Sequence, residues 1–77
     1  MQSFGLNSAR SLLGKNVNLH LKDGSVIVNV QVDAIQKDDL QKQKFVRCIP
    51  YGASEMLRVP LKTIAWAERL NLNLIRA

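Results

Sequence analysis

A side chain that moves a proton, holds a metal or attacks a carbonyl needs partners, and this sequence brings few together. His20 is the only histidine, on the polar side of the alternating run Val17-Asn18-Leu19-His20-Leu21-Lys22. No base or orienting carboxylate adjoins it there, so it reads as a surface residue. Cys48 is the only cysteine and alternates with Val46 on one side of a strand-like run, the pattern of a small core residue rather than a reactive thiol. One histidine and one cysteine cannot complete a zinc site of nitrogen and sulfur ligands within one chain. Nor can a lone cysteine close an internal disulfide. Asp38 and Asp39 are adjacent carboxylates, but neighbours on a strand point apart and a loop pair is solvated. The glycines, at positions 5, 14, 24 and 52, are too scattered for a loop that cradles phosphate. The expectation is a protein that is not an enzyme and uses no metal and no cofactor.

Charge is the more informative property. Eleven Lys and Arg oppose six Asp and Glu, a formal net charge of +5 on 77 residues. Such an excess favours polyanionic partners, chiefly nucleic acid or an anionic membrane surface, nucleic acid first. No run of eighteen apolar residues exists to span a membrane. The start, Met1-Gln2-Ser3-Phe4-Gly5-Leu6, lacks the basic and apolar regions of a secretory signal. A soluble, reducing, cytoplasmic compartment is expected.

Few chemically equipped residues and a short chain throw the weight onto the elements that position them. Seventy-seven residues make one domain, and a core that small leaves a monomer marginal, which oligomerisation would remedy. Asn7 to Gly14 reads as a short helix or an irregular arm, with Asn7 or Ser8 as cap and Gly14 as stop; Leu12 and Leu13 must dock for it to persist. Val17, Leu19 and Leu21 mark the buried side of a first strand, and Asp23-Gly24 supplies a tight hairpin turn. Val26, Val28, Val30 and Val32 then point one way, with Ile27, Asn29, Gln31 and Asp33 the other. So long a strand should bend and serve two sheets.

Lys37 to Lys44 reads as the next hairpin tip, and Phe45 to Ile49 as a third strand closed by Pro50 to Ser54. Met56 to Val59 is a short fourth strand stopped by Pro60. A tight turn through Leu61 to Thr63 leads into a fifth strand, Ile64 to Glu68. The tail from Leu70 alternates like a strand, while Trp66, Leu70 and Leu74 also repeat at helical spacing, so its state stays open. Phe45 and Trp66 sit among apolar strand residues, where core packing is the expected role; Tyr51 and Phe4 are freer to stack on bases. Five strands, one of them long and bent, describe a small all-β barrel of the SH3-like or OB type.

The short helix, Leu13-Gly14-Lys15-Asn16-Val17-Asn18-Leu19-His20-Leu21-Lys22-Asp23-Gly24 and the valine strand resemble the first motif of the Sm and Sm-like (LSm) RNA-binding proteins. Leu57-Arg58-Val59-Pro60-Leu61-Lys62-Thr63-Ile64-Ala65-Trp66 resembles the second. The resemblance covers about Ser8 to Glu68 of a single domain, residues 1–77, leaving 69–77 as a tail. It implies an SH3-like, five-stranded, strongly bent antiparallel barrel with an N-terminal helix. It also implies a homo-oligomeric ring in which the fourth strand of one subunit pairs with the fifth of the next, with Met56, Leu57, Ile64 and Trp66 at the interface. An edge strand is a liability that such closure removes.

The resemblance further implies single-stranded RNA as partner, with contacts at Lys37, Asp38, Asp39 and Arg58. Asp39 falls where the family has an Asn, Arg58 where it has an Arg, and Lys37 where a base-stacking side chain commonly sits. Ile35 (or Gln36, one residue on) replaces the family's Asp, Val59 the Gly after its Arg, and Asn29 a strand-two Gly. Two further readings accompany the RNA-binding ring: a structural or protein-interaction ring that has lost base recognition, and a monomeric SH3-like module binding a protein or duplex DNA.

Overall fold

A computed structural model describes residues 4–40 and 42–71. The order is α1 (Leu6–Ser11), β1 (Asn16–Leu21), β2 (Val26–Asp38), β3 (Gln43–Pro50), β4 (Leu57–Pro60), a 3-10 turn over Leu61–Thr63, and β5 (Ile64–Arg69). All strand pairings are antiparallel, in one sheet of order β4-β3-β2-β1-β5. Among the described residues the sheet is open, with β4 and β5 as its two edges. The described residues are therefore all-β with one short helix.

The helix begins one residue before the expected segment. Gly5, not Asn7 or Ser8, is its N-cap, and no side chain caps it. Gly14 does adopt the left-handed conformation, φ 78°, and its N–H donates to the Val32 carbonyl at 2.8 Å. Leu12 docks in the core, while Leu13 stays outside it. Such a short helix is held by that docking rather than by its own hydrogen bonds.

Among the described residues ten form the core: Ala9, Leu12, Val17, Leu19, Val30, Val32, Val46, Cys48, Val59 and Ile64. Val17 and Leu19 are inside as the alternation requires, and the Asp23-Gly24 turn forms with Gly24 at φ 92°. Three irregularities then break strict alternation. In β2, Val28 and Asn29 together oppose Asn18, between the pairs Leu19↔Ile27 and Val17↔Val30. This is a β-bulge, with Asn29 at φ 51°. A second irregularity falls at Asp33, between Val32↔Cys48 and Ala34↔Arg47. The third places Ala65 of β5 between Leu21↔Ile64 and His20↔Trp66.

Each extra residue reverses which alternate side chain faces inward. The row of four valines is thus split: Val30 and Val32 are buried, whereas Val26 and Val28 are exposed and Ile27 packs on the core instead. Ile64 is buried, but Trp66, two residues on, is turned outward and is 49% exposed. Its expected place in the core is corrected accordingly. The long β2 pairs with β1 through its first half and with β3 through its second, but within one sheet, so the expectation that it serves two sheets is corrected.

The second hairpin is longer than its polarity suggested. Lys37 and Asp38 still belong to β2, paired with Lys44 and Gln43, and Asp39, Leu40 and Lys42 turn. Met56 precedes β4 rather than forming part of it. At the C-terminal end the strand stops at Arg69, where the Leu70 N–H donates to Asn16. Leu74 and the rest of the tail from residue 72 lie outside the described residues.

Candidate nucleic-acid interface

β3 and β4 present their outward side chains on one face: Phe45 and Arg47 from β3, Arg58 and Pro60 from β4. Arg58 lies over the Phe45 ring, its Cζ 4.9 Å from the centroid. A guanidinium in that position is attracted by the ring's negative face and keeps its in-plane donors available. Arg47 is differently engaged. Its Nε donates to Asp33 Oδ2 at 2.7 Å, a charge-assisted pair that neutralises it across the second bulge.

The four residues expected to contact RNA are not gathered into one site within a single copy. Lys37 pairs with Lys44, while Arg58 pairs with Arg47. They are thus three residues apart along β3, about 10 Å, and two strand spacings across, about 10 Å more. Lys37 and Asp39 are exposed near the hairpin end. Asp38 accepts from the Leu40 N–H at 3.0 Å, shaping the turn. Of the positions where the family resemblance replaces polar or small residues, Val59 is in the core and Ile35 packs against it.

A groove of ≈ 590 Å³ opens between the β1–β2 turn and the β4–β5 connection. Leu21, Ile27, Val59 and Pro60 form its apolar wall, and Lys22, Arg58 and Lys62 bring positive charge to its lining. The Lys22 N–H donates to the Thr63 carbonyl at 2.9 Å, tying the two sides together. Asp23 is committed to the turn itself. Hydrogen bonds from the Ser25 hydroxyl and then the Ser25 N–H hold its carboxyl below the ordinary value of 3.8.

Across the sheet, β1 and β5 carry a second outward cluster. His20 and Trp66 stack with ring centroids 3.8 Å apart and planes 8° from parallel. Glu68 Oε1 is 3.4 Å from His20 Nε2 and accepts from Asn18 Nδ2 at 3.3 Å. Both the Arg58–Phe45 and His20–Trp66 pairs escaped the sequence reading. The first joins residues thirteen apart in a strand pair whose register alternation alone leaves undefined, and the second depends on the Ala65 bulge.

Of the residues expected at a subunit interface, Met56, Leu57 and Trp66 are exposed near or on the sheet edges. Ile64 is not: at 1% exposure it is spent on the chain's own core. Burial pushes the Cys48 thiol up from its ordinary pKa, as for an inert core residue. Among the described residues no three His, Cys, Asp or Glu side chains are grouped to hold a metal ion, and no helix is long and apolar enough to cross a membrane.

No protein-family model matches this chain, and no curated protein or solved structure is significantly similar to it. The functional reading therefore stands on the chain's own geometry and charge.

Proposed function

We propose that this protein is a non-enzymatic, divergent Sm-like domain that self-assembles through its sheet edges into a homo-oligomeric ring and binds single-stranded RNA. The observation that carries the reading is the open sheet with β4 and β5 as its edges, flanked by exposed Met56, Leu57 and Trp66. Main-chain groups on an edge are a template for another strand, and unlike edges that meet head to tail can close into a cyclic ring. Asn29 adds support. It stands where the resemblance puts a glycine, and its φ of 51° is one that glycine, and next to it asparagine, tolerates. In this reading the β2 bulges are the points at which the sheet would bend toward a five-stranded SH3-like barrel.

RNA is favoured by the net charge of +5, multiplied by subunit number in a ring, and by Arg58 and Lys37 on exposed positions. Base preference is weak in this reading, because Val59 and Ile35 are apolar and packed on the core. The same observation favours the second reading, a structural or protein-interaction ring without base recognition. Sedimentation mass together with a salt-dependent titration of single-stranded RNA separates them. An oligomer whose RNA affinity falls steeply with salt supports the first reading; an oligomer that ignores RNA supports the second; a stable monomer at micromolar concentration overturns both.

A further inference from the structure

The geometry points to Arg58 as a bridge between copies, its guanidinium seated between its own Phe45 and Trp66 of the partner subunit. The inference rests on the edge-to-edge assembly proposed above and names the contact that gives it register. Each edge carries a ready half of this stack. On β4, Arg58 stands over Phe45 at 4.9 Å. On β5, Trp66 is backed by His20 at 3.8 Å and remains 49% exposed.

The match follows from how few outward residues the edges have. β4 spans only Leu57–Pro60, and with Val59 turned inward, Arg58 and Pro60 face out. On β5 the Ala65 bulge sends Ile64 inward and leaves Trp66 and Glu68 outward. A strand pair that sets Arg58 opposite Trp66 has Glu68 on the diagonal; a shift of two residues exchanges them. Direct and diagonal neighbours are both within reach of long side chains, so either register gives the cation an aromatic face and a carboxylate.

Arginine suits the place better than lysine. Its planar cation stacks by its faces, while its N–H donors point outward in the plane. Clamped between two rings, Arg58 still offers those donors to a phosphate or base. Assembly thereby orders the same side chain that the RNA reading requires.

Trp66 is the only tryptophan, so its fluorescence reports on the junction directly. Wild-type protein is diluted through its dissociation range while emission and sedimentation mass are followed together. The expected result is an emission change that coincides with the loss of mass. Arg58→Ala raises the dissociation concentration about threefold to thirtyfold and flattens the emission change. Arg58→Lys, which keeps the charge and loses the plane, recovers little of it. By mass alone, Arg58→Ala combined with Trp66→Leu is no weaker than the weaker single variant. If Arg58→Ala assembles at the wild-type concentration with wild-type emission, the bridge is wrong and edge pairing survives it. If the wild-type chain is a monomer at every concentration, the bridge and the assembly reading fall together.

Discussion

His20 stacks on Trp66 across the β1–β5 pairing, 3.8 Å between ring centroids, with planes 8° from parallel. This contact and the Glu68 carboxylate beside it fasten an edge strand to the sheet through side chains as well as main chain. A stacked aromatic pair contributes about 0.5–1.5 kcal/mol beyond its area. His20→Ala should therefore lower stability by about 1 kcal/mol in urea denaturation and alter Trp66 emission in the native state. An unchanged emission spectrum would show that the stack does not persist in solution.

Asn29 holds a left-handed backbone in the first β2 bulge. Its N–H donates to Asn18 Oδ1 at 2.8 Å, and its own Oδ1 accepts from Asn16 Nδ2 at 3.3 Å. Asn29→Gly keeps the backbone at ease and loses only the longer bond, so stability should change by less than about 1 kcal/mol. Asn29→Val forces a β-branched residue into that region and should cost about 2 kcal/mol or more. Equal denaturation midpoints for the two variants would refute the bulge.

The Asp23 carboxyl titrates below 3.8 because the Ser25 hydroxyl and N–H donate to it. With the folded value depressed, its contribution is present above the unfolded carboxylate's pKa and fades as pH falls through the folded one. The window thus lies below about pH 4. Ser25→Ala should raise the Asp23 midpoint measured by NMR while leaving neutral-pH structure intact. A midpoint that stays put would assign the shift to another cause.

If the chain assembles through its edges as proposed, Leu57 and Ile64 separate assembly from folding. Ile64 is 1% exposed and Leu57 39%. Ile64→Lys buries an uncompensated charge and should abolish the cooperative unfolding transition. Leu57→Lys should leave circular dichroism native and shift sedimentation toward monomer. A native-like Ile64→Lys protein would contradict the packing described for β5.

The sequence patterns that stay regular over a whole element were legible. β1 follows from Val17, Leu19 and Leu21, and the first hairpin from Asp23-Gly24, whereas the helix ends at Ser11 with Leu12 as its C-cap, before the glycine expected to stop it. What alternation cannot reveal is a residue inserted without a partner. The inward and outward sets were misjudged beyond the bulges at Asn29 and Ala65, and with them the exposure of Val26, Val28 and Trp66. The candidate interface suffered similarly. Arg58 was picked out by resemblance, but its seat over Phe45 depends on the β3–β4 register, a long-range property. The ends of the second hairpin were missed because charged residues at a strand tip look like loop residues.

The bulge at Asn29 also has a meaning for misfolding. Val26-Ile27-Val28-Asn29-Val30-Gln31-Val32 is seven residues without charge or proline, and four valines fall on one side if the strand is flat. That is the signature of a segment able to stack with copies of itself as cross-β. The native chain escapes that alternative by the twist at one asparagine, which sends Val28 to solvent and draws Ile27 inward. A substitution that flattens the strand should therefore do more than weaken the fold: it would restore a competing pattern already written in the sequence, one that favours fibrils from the destabilised chain.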